Sequence, residues 1–401
     1  VSRLLQTVAV PVDQTVLDLL PRLRSALAGD GPALLPTKVN RPVPSSLRPG
    51  TPLEAAEDDT GDPTVAVLAT SGSTGDPKGA LLPASALLAS ASATHDRLGG
   101  PGHWLLALPV HHVAGLQVLI RCLVTGTVPV VLDLTPGFDP GAFAVAAAAV
   151  PGPCRYTALV PTQVRRLLDA GGAPLAALAG LDAVLVGGAA TPPALRAEAE
   201  AAGVRLISTY GMSETCGGCV YDGIPLDGVS VRLDPPDGRI RLTGPIVARG
   251  YRGGQGPVDA FGCAPDGQRW FRSRDLGVVT DGRLKVLGRA DDVIVTGGLK
   301  VAPGVVEAVL LGLPGVVEAV AVGAEDAEWG QRVVAVVVPA PGHPDPTLDA
   351  VRAAVRSAVA AHAAPRQLLV LDRLPLRGPG KPDRAELARL AAKEATAGTP
   401  G

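Results

Sequence analysis

Thr70-Ser71-Gly72-Ser73-Thr74-Gly75-Asp76-Pro77-Lys78-Gly79 follows directly on the apolar run Val65 to Ala69. Ten residues that combine hydroxyls, glycines and one lysine suit a phosphate. Backbone N-H groups can approach it closely, hydroxyls can donate, and the ammonium offsets its charge. The stretch is not a Walker A loop, which needs G-x-x-x-x-G-K-[ST], because Gly72, Gly75 and Lys78 are spaced differently and Pro77 precedes the lysine. A surface turn rich in Gly and Ser would have the same composition, so the flanking sequence must decide.

From about residue 65, short apolar runs alternate with amphipathic stretches. Strands are expected at Val65 to Ala69, Trp104 to Leu108, Val128 to Leu132, Ala183 to Val186 and Arg205 to Thr209, and helices at 85–97, 113–124, 140–149, 162–170 and 192–202. That alternation is the pattern of an α/β sheet with crossover helices. After residue 220 Gly, Pro and Asp become dense and short strands recur, with a hairpin expected around Asp281-Gly282. The last hundred residues predict a helix at 303–311, strands at 316–322 and 332–338, a helix at 348–362, a strand at 367–371 and a helix at 383–393. The expected fold is α/β. A large N-terminal domain (1–288, β-rich from about 220) is followed by a hinge at 289–292 and a small mobile α+β domain at 293–401.

The 401 residues carry 36 Lys+Arg against 38 Asp+Glu, a net charge of -2 without a basic run. Nucleic acid and anionic membranes are therefore poor partners, and small molecules better ones. With 47% hydrophobic and 18% charged residues the chain can bury a large core. Apolar runs such as 142–150 are too short for a membrane helix. The first residues, VSRLLQTVAVPVDQ, lack the continuous apolar stretch of a secretory signal. Five cysteines, an odd number, fit reduced thiols and a cytoplasmic location. Lysine is scarce, with only Lys38, Lys78, Lys285, Lys300, Lys381 and Lys393, so each one is informative.

Six further segments accompany the Gly/Ser-rich loop in order: Pro109-Val110-His111-His112-Val113-Ala114-Gly115, Gly187-Gly188-Ala189, Tyr210-Gly211-Met212-Ser213-Glu214-Thr215, Phe271 to Gly277, Gly288-Arg289-Ala290-Asp291-Asp292 and Gly378-Pro379-Gly380-Lys381. Together, over residues 65 to 385, the seven resemble the motifs of the adenylate-forming superfamily of acyl-CoA synthetases, adenylation domains and luciferases. The resemblance implies that a carboxylate attacks the α-phosphorus of ATP, giving an acyl adenylate and pyrophosphate, and that a thiol then displaces AMP. Catalysis of the first step, an anion against a polyanion, is mainly positioning and charge neutralisation.

Carried over residue by residue, the resemblance implies that Thr70, Ser71, Gly72, Ser73, Thr74 and Lys78 hold the phosphates. Gly188, Ala189, Thr209, Tyr210, Gly211 and Met212 would border the adenine, with Asp275 and Arg289 on the ribose. Ser213 would contact the α-phosphate, and Glu214 would coordinate Mg²⁺. His112 would gate a substrate pocket lined by Gly187, Gly211, Cys216 and Gly217; it is not assigned as a base, because a carboxylate is already ionised at neutral pH. Lys381 would bridge the carboxylate and the α-phosphate. Asp291 would be the pivot on which the small domain turns. After rotation Gly297, Gly298, Leu299 and Lys300 would line a tunnel for CoA, although the same residues also read as a tight turn between strands.

Within the superfamily, LPVHHVAGLQVL, TYGMSETCGGCVYDGIPLDGV and the short chain resemble the actinobacterial 2-succinylbenzoate-CoA ligases of menaquinone synthesis. The resemblance therefore implies ATP, Mg²⁺ and CoA, 2-succinylbenzoate as the acid, and allows a homodimer. The chain departs from the superfamily pattern in its short stretch before residue 70 and in Arg239, where a glutamate is usual. Two other readings have discriminating features. An adenylation enzyme loading a carrier protein would want an acid near the pocket for an amino group, and a nucleotide-binding regulator would not need Lys381. Cys216-Gly217-Gly218-Cys219 has the spacing of a redox or zinc pair but lacks a second pair.

Overall fold

The strand that ends at Thr70 and the strand that begins at Lys78 are partners. In this computed structural model, which describes residues 2–70, 77–376 and 382–397, Thr64–Thr70 and Lys78–Pro83 pair antiparallel with Thr70 opposite Lys78. The Gly/Ser-rich segment therefore joins two paired strands, whereas a Walker loop joins a strand to a helix. Ser71, Gly72, Ser73 and Thr74 lie outside the described residues, as does Lys381.

The chain divides into two compact units. One comprises Val1–Gly188, Ala199–Arg232 and Arg241–Ser273; the other comprises Ala189–Glu198, Leu233–Ile240 and Arg274–Gly401. The first unit contains two sheets. One joins Leu5–Val10, Ala33–Lys38 and the hairpin strands, with Gly250–Tyr251 on the far edge. Two of these strands, and the helix Leu19–Ala28 between them, precede the first element expected from sequence. Val8, Val10, Leu23, Leu34 and Leu68 pack in its core.

The second sheet has seven strands, five of them parallel. Spatially they run Val130–Val131, His103–Leu106, Arg155–Leu159, Ala183–Val186 and Leu206–Met212, and the antiparallel Gly217–Tyr221 and Ile224–Pro225 complete the sheet. His103–Leu106 lies between two strands that both follow it in the chain, so the order reverses there. Ligands of open α/β sheets bind beyond the carboxyl ends of strands at such a reversal. Helices occur at Ala84–Leu98, Val113–Thr125, Pro140–Ala148, Pro161–Ala170 and Pro193–Ala201, each within a residue of expectation, and one more, Gly172–Ala179, was not expected.

In the second unit, the latter part of Arg269–Thr280 pairs with Arg283–Arg289 through Asp281 and Gly282. Both turn residues have positive φ (51° and 73°), the backbone that favours Asp-Gly in a two-residue hairpin. The strands Val316–Asp326 and Gly330–Pro339, with Gln367–Val370 and the short hairpin Ile294–Thr296/Leu299–Val301, form another sheet. It carries the helices Pro303–Leu310, Leu348–Ala358 and Arg384–Ala397. The helix expected at 348–362 stops at Ala358, where Val359 and Ala360 leave helical geometry; nothing in the Ala-rich sequence marks that end. Among the described residues no helix is long and apolar enough to cross a membrane.

Candidate active site

Strand Leu206–Met212 continues three residues past the expected Thr209, so Tyr210, Gly211 and Met212 are strand residues. A single 3-10 turn, Ser213–Thr215, then reverses the chain onto Gly217–Tyr221. Thr215 holds this reversal: its hydroxyl accepts from Met212 N (3.0 Å) and donates to Gly217 O (2.8 Å). Cys216 takes left-handed backbone (φ 51°). Glu214, in the turn, is only 8% exposed.

At two of the assigned strand ends a Cβ would not fit. A Cβ on Gly211 would overlap the Gly217 carbonyl, and one on Gly187 would come within 2.5 Å of Thr209 Oγ1. Gly187 and Gly188 leave the end of Ala183–Val186 beside that threonine, whose hydroxyl donates to Val186 O (3.3 Å). The structure therefore brings Gly187, Gly188, Thr209, Tyr210, Gly211 and Met212 to adjacent strand ends. Tyr210 donates from its phenol to Ser273 Oγ (3.4 Å).

Tyr251, unassigned from sequence, joins two of the motifs. Its strand pairs with the one that begins at Lys78, its hydroxyl donates to Glu214 Oε1 (2.7 Å), and Lys78 Nζ lies 5.6 Å from its ring centroid. Its signal in the sequence was its rarity, one of four tyrosines, in Gly250-Tyr251-Arg252.

His112 caps the start of helix Val113–Thr125 and is exposed, just past the strand at which the sheet order reverses. His111 and His112 have ring centroids 4.3 Å apart. Burial first, then the charges of His112, Lys38 and Arg41, pushes the His111 imidazole down to about 4, and its buried Nδ1 has no partner among the described residues. The Cys216 and Cys219 thiols are both buried; burial raises the first strongly and the second to about 12, which opposes thiolate chemistry at neutral pH. No group of three or more metal-ligating side chains occurs among the described residues.

A second missed cluster lies behind Gly217. Gln117 donates to Cys216 O (2.6 Å), and a Cβ on Gly217 would meet Gln117 Cγ at 3.2 Å and Ser90 Oγ at 3.7 Å. One turn along each helix come Arg121 and Thr94, linked by a 3.3 Å hydrogen bond from Arg121 Nη2. Among the described residues Arg121, 3% exposed, has no acidic partner, and Ser90 Oγ, Gln117 Oε1 and Arg121 Nε have no partner at all. Burial lowers the Arg121 pKa. The sequence signal was periodic: Ser90/Thr94 and Gln117/Arg121 are both i, i+4 polar pairs, the second in a helix whose other residues up to Val124 are apolar.

In the second unit Asp275 and Arg289 are directly opposite on paired strands. Asp291 accepts from Arg274 Nη1 (2.8 Å) and Arg289 Nη2 (3.3 Å). Burial would raise its carboxyl, but those hydrogen bonds and charges outweigh it and hold the group below the ordinary carboxylate range. Gly297 and Gly298 both have positive φ and form a two-residue hairpin turn, with Leu299 and Lys300 exposed beyond it. A Cβ on Gly297 would strike the Trp329 ring at 2.6 Å.

The sequence profile of the AMP-binding enzyme family matches residues 4–252, and that of the AMP-binding enzyme C-terminal domain matches residues 305–381. A Mycobacterium tuberculosis protein named "Probable 2-succinylbenzoate-CoA ligase" is 47% identical over 391 residues, 96% of this chain and 98% of its own length. The 2-succinylbenzoate-CoA ligase of Escherichia coli K12 is 32% identical over 80% of this chain and 68% of its own. Among solved structures, an E. coli MenE variant with bound OSB-AMS superposes with a TM-score of 0.74 at 26% identity, covering 98% of this chain and 89% of that one. ATP-bound MatB from Rhodopseudomonas palustris gives 0.80 at 24% identity, with 98% and 90% covered, a likeness of fold.

Proposed function

The chain belongs to the AMP-binding enzyme family, and from that premise we propose that it activates 2-succinylbenzoate with ATP and transfers the acyl group to CoA. The observation that carries this reading is the 47% identity to the mycobacterial relative across nearly the whole of both chains. The succinyl carboxylate oxygen attacks the α-phosphorus, and pyrophosphate departs. The CoA sulfur then attacks the acyl carbon, and AMP departs.

The roles we propose for the residues are those that the family's motifs imply. Thr70 and Lys78 are opposite each other on paired strands, so phosphates held between them would lie near the Lys78 ammonium, with Ser71, Gly72, Ser73 and Thr74 as further donors. Gly188, Ala189 and the strand end at Thr209 to Met212 border adenine, Ser213 meets the α-phosphate, and Asp275 and Arg289 hold ribose. His112 and Gly187, Gly211, Cys216 and Gly217 line the acid pocket, and Lys381 bridges the reacting groups. Asp291 is the pivot, and the turn at Gly297, Gly298, Leu299 and Lys300 guides CoA.

Glu214 fits Mg²⁺, which commonly takes one or two carboxylates and completes its shell from phosphates and water. That ion would neutralise charge on the phosphates; Tyr251 donates to the carboxylate that would hold it.

2-Succinylbenzoate has a second carboxylate, on the ring, that must leave water when the acid binds. A desolvated carboxylate needs a cation and hydrogen-bond donors. Arg121 supplies the charge, and its lack of an acidic partner among the described residues leaves that charge for the ligand. Ser90 adds a hydroxyl.

ATP/pyrophosphate exchange across a panel of carboxylic acids, with AMP release measured with and without CoA, tests the reading. Exchange with 2-succinylbenzoate and CoA-dependent AMP release are expected. Exchange only with another acid would discard the substrate, and no exchange with any acid would discard the activity.

A further inference from the structure

Among the described residues, Arg121 is held by neutral groups alone. Its guanidinium carbon lies 4.6 Å from the centroid of the Trp104 ring, and one of its N-H donors reaches Thr94 Oγ1. The Thr94 hydroxyl donates its single proton to Ser90 O (2.8 Å), so its 2.9 Å contact with Tyr221 has the Tyr221 phenol as donor. Thr94 Oγ1 then accepts from both Tyr221 and Arg121, and its capacity is filled. Trp104 is fixed in turn: its indole N-H donates to His95 Nε2 (3.3 Å), and its ring packs on Tyr156 at 5.2 Å. His95 must be neutral to accept, and burial, with Arg121 adding to it, depresses its pKa to about 4. Thr94, His95, Trp104, Arg121 and Tyr221 are all buried.

A carboxylate in place of these partners would hold Arg121 equally well but would neutralise it. Resting on the reading of Arg121 as the seat of the ring carboxylate, we infer that Tyr221 and Thr94, with Trp104, are positioning residues for acid selection. They set the place and plane of the guanidinium through neutral contacts and leave its charge for the substrate. Tyr221 and Trp104 need not touch the acid themselves.

The test compares kcat/KM in the exchange reaction for 2-succinylbenzoate and for 4-oxo-4-phenylbutanoate, which has the same side chain and no ring carboxylate. Tyr221→Phe is expected to lower the value for 2-succinylbenzoate about tenfold, mainly through KM, and to change that for the phenyl acid less than twofold. Thr94→Ala should do the same, and Thr94→Ser should restore the preference. These substitutions are small, so a folding defect in one leaves the other as the measurement. Equal losses for both acids would mean that the residues only support the fold, and would overturn the inference. Arg121→Gln separates the two levels. If it leaves the preference intact, the seat of the carboxylate is elsewhere and the underlying reading fails. If it abolishes the preference while Tyr221→Phe and Thr94→Ala do not, the positioning inference alone falls.

Discussion

Glu57→Gln is expected to destabilise the first unit more than any surface change, because it strands a buried cation. Arg252 has no exposed side-chain area and Glu57 has 5%. One Glu57 oxygen accepts from Arg252 and from Glu54 N (2.8 Å), the other from Gly253 N (2.5 Å). Arg252 Nη2 also donates to Thr51 Oγ1 (2.5 Å) and Pro52 O (2.9 Å). The pair thus ties residues 51–57 to the segment that carries Tyr251, the partner of Glu214. Removing one member of a buried ion pair costs about 3–5 kcal/mol, since the other charge stays desolvated. With a urea slope of about 2–3 kcal/mol/M, the midpoint should fall by about 1–2 M. Arg252→Met should cost a similar amount, and the double variant Glu57→Gln/Arg252→Met clearly less than the sum, because no charge is then stranded.

The assay is urea unfolding followed by tryptophan fluorescence, to which Trp104, fully buried in the same unit, contributes. Single variants that each cost under about 1 kcal/mol and add in the double would refute the reasoning, because they would place the pair in the regime of solvated surface ion pairs.

Lys381→Ala should abolish exchange while sparing thioester formation from supplied acyl adenylate, and Asp291→Pro should do the reverse; equal loss of both half-reactions in either variant would remove its assigned role. Gly211→Ala should lower exchange by at least about 100-fold, the scale set by displacement of reacting groups, because its Cβ cannot fit against the Gly217 carbonyl. Near-normal exchange would show that this strand end is not at the nucleotide. His95, neutral in the fold with a pKa near 4 against an ordinary 6.5, contributes stability that is full above pH 6.5 and is lost as pH falls toward 4, since the unfolded chain takes up the proton first. Urea midpoints at pH 7.5 and 5.5 should therefore differ less in His95→Gln than in the parent, and an unchanged difference would refute the assignment.

What could be read beforehand depended on whether a signal was local. The helix at 113–125 and the Asp281-Gly282 turn declare themselves in a few residues, through periodicity and through a dipeptide suited to positive φ. The pairing of Thr70 with Lys78 does not, because the loop's composition is the same in a hairpin as in a strand-to-helix turn. The end of the helix at Ala358 was equally silent, with alanines on both sides of it and no Gly or Pro at the break.

The proposed site shows the same limit at the level of chemistry. Glu214 stands inside a compact motif, so its residue type and neighbours together single it out as a candidate. Tyr251 becomes legible only when its strand is seen beside the one that starts at Lys78. Arg121 is one of thirty arginines, and neither composition nor motif distinguishes it. What sets it apart is a missing partner: a guanidinium only 3% exposed whose contacts among the described residues are a ring and a hydroxyl, not a carboxylate. Such an absence exists only in three dimensions. The spacing of Ser90 with Thr94 and of Gln117 with Arg121 does, however, carry half of it. Two polar i, i+4 pairs on the buried faces of their helices must either find each other or find a ligand, and after Thr94 has met Arg121 three of their polar atoms are still unmatched among the described residues.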